Sequence, residues 1–219
     1  MSFGRVLGFS NNGGVTVERV LDLGCGTGGS GHAFRLDVEN WSITGIDIRS
    51  ERVRIAHLNH QSHGWHYLCA RGEQIPFPEG SFDGVFSEVA LPYMHISRTL
   101  AELHRVLVPG GWLRVTLHSP HFTWQEFLRA FPKPKPSLFR LFVLLNGAVL
   151  HFTGKVISLG RVAESCQTES GMRIALHKAG FEAITFRREG LRFFLDACRD
   201  RSSHRSQELR SEIPGRVTS

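Results

Sequence analysis

The stretch Val20-Leu21-Asp22-Leu23-Gly24-Cys25-Gly26-Thr27-Gly28-Gly29 holds the residues of this chain most plainly suited to chemistry. An apolar run from Val17 to Leu23 reads as a buried parallel strand. The glycines that follow let the backbone turn sharply and approach a ligand with no Cβ in the way. Gly24, Gly26 and Gly29 satisfy the dinucleotide spacing G-x-G-x-x-G, and Asp47 stands about 20 residues on, where that fingerprint has its acid. Asp22 opposes a dinucleotide, because its carboxylate would face the place that a pyrophosphate fills, and two anions there repel. A ligand with a cationic ammonium and sulfonium suits Asp22, while Asp47, at the end of the next strand from Trp41 to Ile46, can accept hydrogen bonds from both ribose hydroxyls. S-adenosylmethionine carries all of these groups.

Four motifs in order then resemble the class I S-adenosylmethionine-dependent methyltransferases, within them the small-molecule group called type 11. Val20 to Gly28 is similar to the first motif and Ile43-Thr44-Gly45-Ile46-Asp47-Ile48 to the second. Ile75-Pro76-Phe77-Pro78-Glu79-Gly80-Ser81-Phe82-Asp83 is similar to the loop and strand start that come next, and Glu102-Leu103-His104-Arg105-Val106-Leu107-Val108-Pro109-Gly110-Gly111-Trp112-Leu113 to the fourth. The resemblance covers roughly residues 17 to 118. It implies S-adenosyl-L-methionine as cofactor, with contacts from Asp22, Gly24, Cys25, Gly26 and Thr27, from Asp47 and Ile48, from Arg71, Gly72, Glu73 and Gln74, and from Ser87. In the family the loop before the third motif carries an Asp for the adenine amino group. Here that position is Arg71, so adenine recognition is expected to pass to Glu73, to Gln74 or to backbone groups.

Methyl transfer asks little of side chains, since the sulfonium is a good leaving group and alignment supplies much of the acceleration. Where the acceptor is a hydroxyl or a carbon acid, the candidate bases are His118 and His121 after the fifth strand and Tyr93 or His95 after the fourth. Leu91-Pro92-Tyr93 lacks the leading Asn or Asp that an amine acceptor would need. His57, His60, His63 and His66 recur every third residue, but on a helix such a row drifts around the axis, and Gly64 is expected to end that helix, so no metal site is expected.

The elements that must position these groups alternate strand and helix. Strands are expected near 17–23, 41–47, 65–70, 82–89 and 111–118, and Ile96, Leu100, Leu103 and Leu107 mark one helix face stopped by Pro109-Gly110-Gly111. Thr168 can cap a helix through Ala179 to Gly180, followed by a hairpin of Phe181 to Arg187 and Leu191 to Ala197 around Glu189-Gly190. The expected fold is α/β: a Rossmann-like seven-stranded sheet, mostly parallel with a C-terminal antiparallel hairpin, helices on both faces. Residues 119–166 are expected to form an inserted substrate lid over the carboxyl ends of the strands. In it, Phe131-Pro132-Lys133-Pro134-Lys135-Pro136 reads as a stiff basic connector, and Ser137 as the cap of an apolar run from Leu138 to Phe152 that only Arg140, Asn146 and His151 interrupt. That run packs onto the domain, lines an apolar pocket or rests on a membrane surface.

A chain of 219 residues with 41% hydrophobic content fits a single methyltransferase domain over 1–219 with its lid. Much of the net charge of +6 lies from Arg187 to Ser219, where eight arginines stand against five acids, the last part, 202–219, being a polar tail; no RNA-binding pattern accompanies it, so no nucleic-acid partner is expected. Cys25, Cys69, Cys166 and Cys198 show no paired spacing and read as reduced thiols. Met1 to Gly14 lacks the apolar core of a signal peptide and no stretch is expected to reach the length of a membrane span, so a cytoplasmic location is expected, with peripheral membrane contact through the lid allowed. The expected activity is methyl transfer to a small apolar or aromatic acceptor. The alternatives are an S-adenosylmethionine-binding protein without catalysis and an NAD-dependent oxidoreductase, the latter opposed by Asp22.

Overall fold

The computed structural model describes residues 18–29, 41–60, 65–118, 120–160, 162–189 and 192–201. The amino-terminal segment, His63, Gly64, Gly190 of the Glu189-Gly190 turn, Leu191 and the 202–219 tail, for which the sequence raises expectations, lie outside the described residues. Seven strands form one sheet: β1 (Glu18–Leu23), β2 (Trp41–Asp47), β3 (His66–Cys69), β4 (Phe82–Glu88), β5 (Leu107–His118), β6 (Phe181–Glu189) and β7 (Arg192–Arg199). Their order across the sheet is β3-β2-β1-β4-β5-β7-β6. β1 to β5 run parallel, and β7 enters antiparallel between β5 and β6. The order reverses at β1, whose neighbours are β2 on one side and β4 on the other; in open α/β sheets ligands bind beyond the carboxyl ends of the strands at such a point.

The helices are α1 (Ser50–Asn59), α2 (Ile96–Val106), α3 (Pro120–Ala130), α4 (Pro134–Thr153) and α5 (Glu169–Lys178). On α2, Ile96, Leu100, Leu103 and Val106 are buried in the main core with Leu21, Leu23, Val85 and Leu113. Each such side chain contributes about 1.5–3 kcal/mol by leaving water. α5 starts where expected, with the Thr168 hydroxyl accepting from the Gly171 amide at 3.1 Å. Two expectations shift. β5 begins at Leu107 rather than 111, because Leu107 pairs with Phe82 and the Pro109-Gly110 step is absorbed as an irregularity inside the strand. α4 begins at Pro134, three residues before Ser137. The first-turn amides of a helix have no partner within it, so prolines there forfeit nothing, and their fixed φ favours the helix. Ser137 already donates its amide to the Lys133 carbonyl at 3.1 Å, so it sits within the first turn and does not cap it.

That early start makes α4 20 residues long, and by length and composition it could cross a membrane, contrary to the expected absence of such a stretch. It is held in place along one face. Val143, Asn146, Gly147 and Leu150 are buried, and a Cβ on Gly147 would lie 2.0 Å from the Cys166 sulfur. Asn146 donates from Nδ2 to the carbonyls of Ile157 and Glu164, both at 3.0 Å, and accepts from the Ile157 amide at 2.7 Å. So one face of the run packs onto the domain, while Leu141 and Leu145 on its other side are exposed.

Candidate functional site

The glycine turn after β1 is closed on itself. The amides of Gly24 and Cys25 both donate to the Ile46 carbonyl, at 2.8 and 3.0 Å, and that of Gly28 to the Cys25 carbonyl at 2.8 Å. The Gly26 amide donates to Asp47 Oδ2 at 3.1 Å, and Asp47 Oδ1 accepts from the Arg49 amide at 2.8 Å. So the carboxylate at the tip of β2 holds the turn, with a lone pair left on each oxygen for further donors. Gly24 and Gly26 lie in the left-handed region, φ +74° and +54°. Around Gly26 a Cβ would meet nothing within 4 Å, whereas at Gly24 it would meet the Ala90 Cβ at 2.2 Å. The backbone at Gly26 thus borders open space, while Gly24 is packed.

The third close-packed glycine is Gly28, not Gly29. At Gly28 (φ +92°) a Cβ would strike the His60 ring at 2.5 Å, and at Gly29 it would meet nothing within 4 Å. In the dinucleotide pattern the third glycine serves close packing of helix on strand, so the G-x-G-x-x-G count does not describe how this turn is built. Asp22 is 2% exposed. Its charge lies beneath the turn, where burial first, then Asp22 and Asp47, push the Cys25 thiol well up. Burial and Asp22 do the same to the Tyr67 phenol. Cys25 is a neutral, buried thiol there, and the field under the turn is negative.

Thr27 is exposed at the top of the turn, and Ile48, 56% exposed beside Asp47, offers an apolar surface. Residues 70–74 come alongside, the Ala70 amide donating to the Asp47 carbonyl at 3.1 Å. Within this tight turn Gln74 donates back to the Arg71 carbonyl at 3.1 Å, and a Cβ on Gly72 would meet Met94 Sδ at 2.7 Å. Glu73 is engaged elsewhere: Oε1 accepts from the His95 amide at the start of α2 at 3.0 Å, and Oε2 lies 3.8 Å from Arg71 Nε. Ser87 needs correcting as a side-chain contact, because it is fully buried and donates to the Leu23 carbonyl at 2.8 Å, tying β4 to β1.

Past the end of β4, Val89 is held at φ +55°, a strained conformation for a β-branched residue. A short helical turn, Leu91–Tyr93, then presents Tyr93 with 54% of its surface exposed. The structure brings Tyr93 and His118 together edge to face, ring centroids 6.3 Å apart, and lays His118 over Phe122 at 4.3 Å. His121 is exposed and pairs with Gln125 at 3.1 Å, one turn along α3. His95 Nδ1 faces the Arg98 amide at 3.5 Å and belongs to the start of α2.

Around Tyr93 stand residues the sequence did not single out for the site. Arg140 bridges Glu164 at 3.0 Å and Glu126 at 3.2 Å. The Ser165 amide donates to the Pro92 carbonyl and the Gln167 amide to the His118 carbonyl, both at 3.3 Å, so the segment after α4 is laid along the Tyr93 turn. Burial first, then Glu164 and Glu126 acting against Arg140, pushes the Tyr93 phenol up. Burial also raises Glu164, opposed by Arg140. Tyr93 is therefore a neutral hydrogen-bonding group at neutral pH, and Glu164 is more basic than an ordinary carboxylate. The available signal was Arg140 itself, one of three polar interruptions in an apolar run, and all three make polar joints: His151 Nδ1 lies 3.0 Å from the Thr168 hydroxyl.

The sheet order, with its antiparallel carboxyl-terminal strands, is that of the class I methyltransferase fold. Residues 21–115 match the family model described as "Methyltransferase domain". This stretch is similar to phthiotriol/phenolphthiotriol dimycocerosates methyltransferase 1 of Mycobacterium ulcerans, 36% identical over 103 residues, covering 47% of this chain and 38% of that protein. It is also similar to a fatty-acid O-methyltransferase of Mycolicibacterium smegmatis, 31% identical over 117 residues, covering 53% and 43%. The chain thus spans less than half the length of these curated relatives. Among solved structures, an S-adenosylmethionine-dependent methyltransferase of Methanosarcina mazei superposes with a TM-score of 0.56 at 21% identity, covering 84% of this chain and 92% of that one, a likeness of fold. Family and fold imply S-adenosylmethionine as the cofactor.

Proposed function

We propose that this chain is an S-adenosylmethionine-dependent methyltransferase acting on a small, apolar or aromatic acceptor of lipid-like character. The observation that carries the cofactor half is the Asp47 carboxylate on the Gly26 amide. A pyrophosphate site needs free backbone amides at the glycine turn. Here the amides of Gly24, Cys25, Gly26 and Gly28 are all spent within the protein, over a buried Asp22. Such a turn repels a diphosphate and suits a cation. Asp47 would hold the ribose hydroxyls with its remaining lone pairs, Gly26 and Thr27 would border the ligand's backbone side, and Ile48 with the 71–74 turn would flank the adenine. When bound, S-adenosylmethionine supplies the methyl group on an activated sulfonium.

The acceptor half rests on what surrounds Tyr93. Tyr93, His118 and Phe122 give an aromatic wall, and the Tyr93 phenol and the basic Glu164 beside it give one hydrogen-bond donor and one proton acceptor. His118 is the further proton acceptor at the strand end, and His121, farther along α3, would meet only a long substrate. The names of the relatives describe lipid acceptors, which agrees with an apolar wall. The test is titration calorimetry with S-adenosylhomocysteine and with NAD, followed by methylation of a panel of phenols, quinone-like compounds, lipids, amines and RNA. Heat with the S-adenosyl ligand and turnover of apolar members are expected. Tight NAD binding with no heat from S-adenosylhomocysteine would restore the oxidoreductase alternative, and binding without turnover of any acceptor would leave a binding protein.

A further inference from the structure

Helix α4 carries an unbroken apolar stripe on its outer side. Leu138, Leu141, Leu145, Ala148 and Phe152, spaced three and four apart, are all exposed; Leu138 is 69%, Leu145 60% and Phe152 78% exposed. At about 100° per residue, the stripe's centre lies roughly 170° from that of the buried face formed by Val143, Asn146, Gly147 and Leu150. It lies about 120° from Arg140, whose contacts turn toward Tyr93. So the stripe, about 20 Å long, points away from the domain and from the Tyr93 side of the site. Trp124 and Leu128, one turn apart on α3, are exposed as well, at 49% and 54%. Exposed apolar surface of this extent marks an interaction site.

The charges around it choose the occupant. From Pro120 to Thr153 the sequence has Arg129, Lys133, Lys135 and Arg140 against the single acid Glu126, and Arg140 already neutralises Glu126. Lys133 and Lys135 stand exposed at one end of the stripe and Lys155 just past the other. A second copy packed antiparallel would set Lys133 and Lys135 against its own Lys155, and a parallel copy would set them against themselves. Both arrangements oppose like charges. An anionic surface meets all of them favourably, with long lysine stems lying beside the apolar stripe. The packed face of α4 excludes a membrane-spanning role for it, since Asn146 and Gly147 lock it to the 157–166 segment.

We infer that the outer side of the α3–α4 hairpin is a docking surface for an anionic lipid bilayer, the helix α4 lying in the plane of the headgroups with Leu138, Leu141, Leu145 and Phe152 inserted. This goes beyond the proposed lipid-like acceptor, and its test involves no methyl transfer.

The experiment is flotation of the full chain with vesicles of phosphatidylcholine alone and of phosphatidylcholine with about a third phosphatidylglycerol, at low and high salt. Binding to the anionic vesicles, weakened by salt, is expected. Leu145→Ser with Phe152→Ser should lower the partition coefficient by about ten-fold or more, and Lys133→Glu with Lys135→Glu by a similar factor. Both variants should keep S-adenosylhomocysteine affinity and the thermal melt of the parent, which separates loss of docking from loss of fold or of the cofactor site. The inference is overturned by absence of binding to anionic vesicles, by equal binding to neutral ones, or by both variants binding like the parent. A dimer in sedimentation velocity that Leu145→Ser with Phe152→Ser dissolves, without vesicle binding by the parent, would make a second copy the occupant and overturn it too.

Discussion

At the scale of single residues, two of the three left-handed glycines of the first turn, Gly24 and Gly26, have opposite surroundings and should respond oppositely to the same change. Gly26→Ala puts a methyl into open space and carries only the left-handed strain of about 1 kcal/mol, so the melt should shift little. Cofactor binding should nevertheless fall about ten-fold or more, since that space is where the ligand meets the backbone. Gly24→Ala drives its methyl to 2.2 Å from the Ala90 Cβ and should cost at least about 2 kcal/mol in denaturant titration. If both alanines melt alike, the packing contrast is wrong. Asp47→Ala should weaken S-adenosylhomocysteine binding by about 1.5–3 kcal/mol in calorimetry, for it removes a charged acceptor and also releases the Gly26 amide. Unchanged affinity would remove Asp47 from the ribose. The sharp turn at Gly24 and Gly26 and the placing of Asp47 at the end of the next strand were open to sequence inspection because turn chemistry is local and the strand-end acid comes one strand later. Ser87 was not, because its partner, Leu23, lies on a neighbouring strand 64 residues away.

Elements show where local signals fail. α2 was legible from its period and α5 from its cap, whereas α4 was started four residues late, at Leu138 after a Ser137 cap, because its prolines read as a connector. The motif Glu102 to Leu113 was legible as a family signature, but its polar positions have a mechanical use only the fold reveals. Glu102 accepts from the Ile75 amide at 2.7 Å, and Arg105, paired to Glu102 at 2.8 Å, donates to the carbonyls of Phe77 at 2.6 Å and Ile75 at 2.9 Å. One turn of α2 thereby holds the Ile75-Pro76-Phe77 loop. The Arg105 guanidinium, together with the Ile75 amide and against burial, keeps the Glu102 carboxyl below its ordinary value. A carboxyl lowered in the folded state stabilises above its unfolded pKa of 4.5, and that contribution is lost as pH falls through the lower folded value. Acid titration of the melting temperature should therefore drop less steeply below pH 4.5 in Glu102→Gln than in the parent, the variant being the less stable of the two at neutral pH. Parallel curves would mean the pair contributes nothing measurable, as exposed ion pairs often do.

For the whole molecule, the sheet and its switch point follow from a pattern repeated along the chain, while the joint between the α3–α4 segment and the sheet does not, since its partners are scattered. Arg140 meets Glu164 24 residues on, Asn146 meets Ile157 and Glu164, and His151 meets Thr168, all across the loop that leads back to the sheet. The same loop is bound to Pro92 and His118 by backbone hydrogen bonds, so the α3–α4 segment and the Tyr93 turn are one mechanical unit, which meets the Gly24–Asp47 cradle through the packing of Ala90 on Gly24. This arrangement predicts a separable defect. Asn146→Leu keeps the volume but removes three hydrogen bonds and leaves the Ile157 amide and the Glu164 carbonyl short of partners, costing about 1–3 kcal/mol. Hydrogen exchange should quicken across 155–167 and slow amides should persist in β1 and β2. Acceptor turnover should fall while S-adenosylhomocysteine affinity stays within about two-fold of the parent, because the cradle's own bonds are untouched and distant changes add independently. Equal loss of cofactor affinity and turnover would show that the α3–α4 segment and the cradle open together, and that the acceptor side has no local unfolding of its own.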